Sequence, residues 1–425
     1  MSRFALVILA GVCVATPVLA AAPGSFAIQH VRVFDGVRTI PETNVLVRGG
    51  RIFSVGSGSI PQGVPTVDGA GKTLIPGLID SHVHVFPGAQ EDALRFGVTT
   101  ELDMFDLARD FAKWRPQRES FAKTDAADTW GAGLGVTVKG GAPLEMLPPT
   151  DAAKIPVLAN AVGAKSFVDA RVKEGSDYIK LFIEDLSEYG GKKRMPTLSR
   201  DEVCATIAAA HADKRLAIVH VQTESGAREA TECGADALAH TFPDRIATRD
   251  FLALAKSHRI FLETTLDVWA AASGLDIARK LAADPRVAPY LSPFQKQTLT
   301  AKEDMPHPQF FPTALANVRA MHKAGIPIVA GTDAPNSGTA HGVSLHEELQ
   351  LLVRAGFTPE DALNAATALP TKIFELGDRG HIAPGYRADL VLVKGDPTRR
   401  IGDTLSIVRI WKNGYAIGRS PPKKH

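Results

Sequence analysis

The sequence predicts an α/β protein: a (β/α)8 TIM barrel carrying a small β-sandwich domain built from both chain ends. Three observations predict it. Between about Pro76 and Leu376, short apolar runs alternate with helical patterns, which is how parallel strands joined by crossover helices read. Both ends of the chain read instead as short alternating strands separated by tight turns. In the middle segment, polar groups able to do chemistry recur at the downstream ends of apolar runs, where barrel sites are built. The expected divisions are a leader at 1–22, the β-sandwich domain at 23–75 and 377–425, and the barrel at 76–376.

Taken in order, Met1-Ser2-Arg3 carries one positive charge, Phe4 to Ala15 is uninterruptedly apolar, and Val18-Leu19-Ala20 and Ala20-Ala21-Ala22 are small-x-small patterns. This is the pattern of a secretory signal peptide, too short to span a bilayer, with cleavage expected after Ala20 or Ala22 and a periplasmic or extracellular location. Ile28–Phe34, Asn44–Arg48 and Arg51–Val55 alternate as strands, with Gly49-Gly50 as a turn. Asp389–Lys394 and Ile407–Lys412 match them at the other end, with Asn413-Gly414 as a turn. Neither end alone has enough strands to be stable, so the two are expected to pair.

In the middle, strands are expected at Leu78-Ile79, Tyr178–Phe182, Leu216–Val221, Ala237–His240, Ile260–Thr264 and Ile326–Ala330, with helices such as Asp201–Lys214 and Pro312–Ala324 between them. The segment holds about 300 residues, roughly 37 per unit, which suits eight units with insertions. An open doubly wound sheet would need a Gly-rich phosphate turn after its first strand, and no G-x-G-x-x-G stands there.

Composition narrows the function. Lys+Arg number 48 and Asp+Glu 46, so no basic field is available for nucleic acid, and no long run of like charge occurs. No segment after the leader offers the ~20 apolar residues of a membrane span. A small molecule is the expected partner, with a homo-oligomer left open. Of three cysteines, Cys204 and Cys233 remain after the leader, in helix-like stretches, and are expected to be buried free thiols.

His82 and His84 carry the strongest chemical signal. At i and i+2 on a strand they point to one side and can chelate. Lys180 lies inside an apolar strand, and His220, His240 and Asp333 end others. His82 to Lys180 is 98 residues, about three units, which puts Lys180 on the fourth barrel strand, His220 and His240 on the fifth and sixth, and Asp333 on the eighth. Imidazoles with a carboxylate suit zinc or a similar ion. A lysine ammonium would repel a metal. Buried near cations it loses its proton readily, and the amine can add CO₂ to form an anionic carbamate able to bridge two ions. The rival is an ion pair between Lys180 and an acid such as Asp333.

The sequence resembles the metal-dependent amidohydrolase superfamily, in its imidazolonepropionase-like and Xaa-Pro-dipeptidase-like branch. The resemblance rests on Thr73–His84, Phe96–Thr100, Ile328–Ala334, His341–Leu349 and Ile382–Val391 and covers nearly the whole mature chain. It implies two divalent metal ions, usually zinc. His82, His84 and Asp333 would bind the more buried one, His220 and His240 the more exposed one, and carboxylated Lys180 would bridge them. It also implies Asp333 as general acid and base. Imidazolonepropionases and deaminases of the superfamily are mononuclear and lack that lysine, which argues against their activities here. Two departures, Ala142 after Gly140-Gly141 and Ala239-His240-Thr241 in place of Glu-His-Gly, touch the substrate pocket rather than the ligands.

In dipeptidase-like relatives a tyrosine after the fourth strand contacts the substrate. The Glu184–Pro196 loop therefore offers Tyr189 to polarise a carbonyl and Arg194 to hold a carboxylate, against the simpler reading of Lys192-Lys193-Arg194 as a solvated basic loop. The Asp267–Phe311 insertion, with Trp269, Tyr290, Phe294, His307 and Phe310, reads as a lid or an extra helical layer. His341 and His346-Glu347 are expected to support the site rather than ligate. The expected activity is hydrolysis of an amide in a dipeptide, N-acyl amino acid or aryl amide. Lactones, carbamates, esters and phosphotriesters use the same machinery, and a non-catalytic ligand-binding relative is the alternative of another class.

Overall fold

In the computed structural model of the chain, residues 24–106, 110–189, 194–303 and 305–420 are described. The expected leader at 1–22, and Lys192 and Lys193 of the basic cluster, lie outside them.

The N-terminal strands are β1 (Phe26–Phe34), β2 (Thr39–Arg48), β3 (Arg51–Gly56), β4 (Thr66–Asp68) and β5 (Lys72–Pro76). Asp35 Oδ1 accepts from the backbone N–H groups of Val37 and Arg38, both at 2.9 Å, and so makes the β1–β2 turn. Gly49 and Gly50 take φ of 57° and 79°, the two left-handed residues that a tight β2–β3 hairpin needs.

Eight further strands follow: β6 (Leu78–Val83), β7 (Val98–Asp103), β8 (Asp128–Gly131), β9 (Ile179–Ile183), β10 (Ala217–Val221), β11 (Ala237–Ala239), β12 (Phe261–Thr264) and β13 (Ile328–Ala330). They form two sheets of parallel neighbours, β6-β7-β8 and β9-β10-β11-β12-β13. Single parallel bridges connect the two, Val136 to Leu181 on one side and Val83 to Ala334 on the other. Gly331 permits the second approach, since a Cβ there would lie 2.6 Å from His82 Cβ. The last strands are β14 (Leu390–Lys394), β15 (Ile407–Lys412) and β16 (Tyr415–Ile417). Antiparallel pairing of β14 with β5 brings strands from both chain ends into one eight-stranded mixed sheet, ordered β16-β15-β14-β5-β1-β2-β3 with β4 on β1. Ile28, Val45, Leu74, Leu390 and Trp411 fill its core, and Phe26 stacks on Trp411 at 5.2 Å.

Helices cover the parallel strands. One over Arg200–Ala212 starts at a capping box made by Ser199 and Glu202, and one over Phe310–Ala324 ends at Gly325 in the left-handed region. The free-thiol expectation is corrected: Cys204 and Cys233 form a disulfide, with Cα atoms 4.6 Å apart. Cys204 sits in the 200–212 helix and Cys233 caps the next, Glu224–Glu232. Packing of these neighbouring helices, which composition does not reveal, brings the two sulfurs together.

Candidate metal centre

Alternation along the strands aims the site. His82 and His84 leave one face at the end of β6, Lys180, Phe182 and Glu184 leave one face of β9, and His220 and Gln222 leave one face of β10. His240 directly follows β11 and Asp333 lies just beyond β13, after Gly331 and Thr332, and the two take left-handed φ of 68° and 55°. Such backbone costs of order 1 kcal/mol or more in a non-glycine residue and concentrates at functional sites. All six predicted ligands line one cavity of about 490 Å³.

Within it, His84 Nε2 lies 2.9 Å from Asp333 Oδ1, and His82 Nε2 lies 3.6 Å from the same oxygen. The His82 and His240 rings are 4.6 Å apart between centroids, and those of His220 and His240 4.7 Å. Lys180 Nζ is 3.5 Å from His82 Nε2. The donor atoms of His82, His84 and Asp333 all lie within 4.8 Å of one another, close enough to share an ion.

Hydrogen bonding fixes which nitrogens face inward. His84 Nδ1 meets the Phe105 carbonyl at 3.1 Å and so must donate. A neutral His84 therefore points the Nε2 lone pair at a carboxylate, an arrangement that requires a proton or a cation between them. His82 Nδ1 is held by Glu263 Oε2 at 3.0 Å and His240 Nδ1 by Thr265 Oγ1 at 2.7 Å, leaving both Nε2 atoms for the cavity. This donor set fits a divalent cation.

The electrostatics agree. Burial, with Lys180 and the other imidazoles adding to it, pushes His82 well below its ordinary value. Burial does the same to His240, so both rings stay neutral as ligands must. Burial would raise Asp333, but His240, His84 and Lys180 outweigh it and hold the carboxyl low. Burial pushes Lys180 down to about 8 against the pull of Glu263, Asp333 and Asp103. Glu263 is raised by burial to about 8.

Tyr189 lines the cavity, with its ring 5.1 Å from His307 and 5.4 Å from Phe310, so the end of the 267–311 insertion meets the loop after β9. Val268, Ala272 and Glu303 from the insertion also form wall. The helices Leu266–Ala272, Ile277–Ala283 and Pro293–Thr300 run through it. Arg194 is not brought to the cavity. Its guanidinium pairs with Asp185 and lines a neighbouring hollow of about 170 Å³. A short loop with an acid nine residues away satisfies the cation locally.

His341 Nδ1 meets Glu101 Oε1 at 2.6 Å and Nε2 meets the backbone carbonyl of His84 at 3.2 Å, so it braces the strand end that carries His84. His346 Nε2 meets the Phe96 carbonyl at 2.8 Å, away from the ligands. Sequence reasoning passed over Glu184, whose carboxylate lies 2.8 Å from His220 Nε2, and Glu263 behind His82. The first was legible as the i+4 partner of Lys180 on one strand face.

Residues 73–417 match the amidohydrolase family. An imidazolonepropionase of Cereibacter sphaeroides is 27% identical over 396 residues, spanning 84% of this chain and 90% of the relative. A Xaa-Pro dipeptidase solved with bound methionine superposes with a TM-score of 0.73 at 20% identity, covering 92% of this chain and 99% of that one. Molinate hydrolase superposes at 0.72 and 20% identity, covering 94% and 96%. At these identities the two structures speak for the fold alone. The family match and the His82, His84 and Asp333 cluster carry the conclusion: the chain belongs to the amidohydrolase family, metal-dependent hydrolases acting on carbon–nitrogen bonds.

Proposed function

We propose that the chain is a secreted, binuclear hydrolase on a (β/α)8 barrel, cleaving an amide-type bond in a dipeptide, N-acyl amino acid or aryl amide. The observation that carries this reading is the convergence of His82, His84, Lys180, His220, His240 and Asp333 on one cavity. Two features support the barrel: eight parallel strands in two sheets, and the single bridges between those sheets on both sides. The Cys204–Cys233 disulfide suits an oxidising compartment, as the N-terminal apolar run does.

His82, His84 and Asp333 would hold the more buried ion, His220 and His240 the more exposed one, and Lys180 as a carbamate would lie between. Two such ions, zinc by the nitrogen-rich donor set, supply a Lewis acid for the carbonyl and acidify water. Asp333 takes the proton of the attacking water on a carboxylate oxygen and returns it to the leaving nitrogen. Glu263 and Thr265 keep His82 and His240 in one orientation throughout. Phe105, Phe182 and Val268 keep bulk water from the wall. Lys180 favours this over the one-ion chemistry of imidazolonepropionases, since a buried amine with a lowered pKa is placed to carry CO₂.

The test is hydrolysis by zinc-loaded protein of a panel of dipeptides, acyl amino acids, aryl amides and lactones, with metal content measured alongside. Amide turnover with about two ions per chain is expected. Lactone turnover alone, or one ion with full activity, would replace this reading.

A further inference from the structure

We infer that the cavity selects cations: it takes amides that carry an ammonium or guanidinium group, received by Glu145, Glu184 and Glu303, and disfavours substrates bearing a carboxylate. This rests on the hydrolase reading above, since it takes the same cavity as the place of the substrate, and it narrows the three substrate kinds named there.

The charge on the wall is one-sided. Besides Asp333, the cavity is lined by Glu145, Glu184 and Glu303, and among the described residues Lys180 is its only lysine or arginine. Lys180 lies deep, against His82 Nε2, and belongs to the ion-binding set. Arg194, the one nearby guanidinium among the described residues of that loop, is spent on Asp185 outside. Beyond the metal-binding floor, the charged groups a substrate carboxylate would meet among the described residues are therefore carboxylates.

The three glutamates arrive from three parts of the chain. Glu145 lies in the loop after β8, Glu184 just beyond β9 and Glu303 in the 267–311 insertion. Glu184 has a side chain only 8% exposed and is set on the mouth face by strand alternation. Burial and the charge of Glu184 both raise the Glu145 carboxyl. Burial, with Glu184, Glu188 and Glu303 adding to it, raises the Tyr189 hydroxyl above its ordinary value, and Glu145, Glu184 and Glu303 line the same cavity as Tyr189. Like charges gathered from separate loops cost free energy that a bound cation would offset. The rest of the wall, including Phe105, Phe182, Leu147 and Leu186, suits an apolar body, and aromatic faces also attract organic cations.

Two measurements on the zinc-loaded protein decide it. The first compares nitroanilides of aminohexanoate, hexanoate and adipate, alike in length and differing in the charge of the far end. We expect kcat/KM to fall from cation to neutral to anion, with roughly 10- to 100-fold between the first two, the worth of a charge-assisted hydrogen bond. The second compares binding by calorimetry of choline and dimethylbutanol, its uncharged isostere. A quaternary ammonium has no lone pair for a metal, so a preference for choline reports on the wall. Together, Glu145→Gln and Glu303→Gln should flatten both preferences.

Equal rates for the three anilides, a preference for adipate, or a cation preference unchanged by the two substitutions would overturn the inference. Choline discrimination without cleavage of any anilide would remove the hydrolase reading and keep this one. Anilide cleavage without charge discrimination would do the reverse.

Discussion

Lys180 is 1% exposed on β9, with its amine 3.5 Å from a histidine nitrogen. Burial brings its pKa to about 8. At pH 7 about one amine in ten is then neutral, against about one in 3,000 at an ordinary 10.5. Only the neutral amine can attack CO₂, forming an N–C bond and, after losing a proton, an anionic carbamate. Lys180→Ala should lower metal content from about two per chain toward one or none and abolish turnover, and an added small carboxylic acid should restore part of both. Lys180→Arg should be as inactive as alanine, since guanidinium stays charged. An ion-paired lysine predicts the opposite, with arginine tolerated and carboxylic acid without effect, so metal analysis of the two variants separates them. Asp333→Asn should keep the fold and most metal but lose about 10²–10⁴-fold in kcat, the usual worth of positioned proton transfer. Turnover within threefold of wild type would take Asp333 out of that role. That His82, His84, Lys180, His220, His240 and Asp333 would share one cavity was legible because strand spacing and strand-end placement are local. Glu263 and Thr265 were not, since their roles appear only when β12 lies beside β11 and its Glu263 reaches His82 of β6.

Among the elements, the disulfide links two neighbouring helices across a sequence separation of 29 residues. Closing a loop of that length removes chain entropy from the unfolded state worth about 3.6 kcal/mol. Cys204→Ser with Cys233→Ser should lower unfolding stability by about that much in urea titration, with metal content unchanged. A loss under about 0.5 kcal/mol would mean the bond contributes nothing in the folded enzyme. The pairing was illegible because a 29-residue separation says nothing about how two helices pack. Strands showed the same division. β9, β10 and β12 are apolar runs and were read close to their observed bounds, and the Gly49-Gly50 and Asn413-Gly414 hairpins follow from residues that tolerate positive φ. β7 and β8 went unread among the expected strands. Thr99, Thr100, Glu101 and Asp103 fill β7 with polar groups that are nonetheless at most 1% exposed. Asp128 and Thr129 do the same in β8. A parallel sheet that buries polar side chains erases the hydrophobic signal by which strands are recognised.

At the scale of the whole molecule, the mixed sheet from the chain ends is fastened to the parallel strands by charge as well as by apolar packing. Lys412, at the end of β15 and fully buried, has its Nζ 2.7 Å from both Asp128 on β8 and Asp389 beside β14. Arg379 reaches the same Asp128 oxygen at 2.7 Å, and Asn413 donates its backbone N–H to Asp389 at 2.7 Å. Burial alone would raise the Asp128 carboxyl, but Lys412 and Arg379 outweigh it and hold it below its ordinary 3.8. A depressed folded-state pKa stabilises above the unfolded value and ceases to do so as pH falls through the folded one. Lys412→Met keeps most of the volume but leaves two buried carboxylates short of a cation, which should cost about 3–5 kcal/mol at pH 7. Adding Asp389→Asn to it should recover part of that loss, because one uncompensated charge goes with it. The gap between wild type and Lys412→Met should persist down to about pH 4 and close only below it. Because the network lies outside the cavity that holds the histidines, kcat per folded molecule should stay at the wild-type level while the urea midpoint falls. A stability loss of less than about 1 kcal/mol would show that the chain ends are held by their apolar core alone, and a fall in kcat alongside the midpoint would show that the network also shapes the cavity.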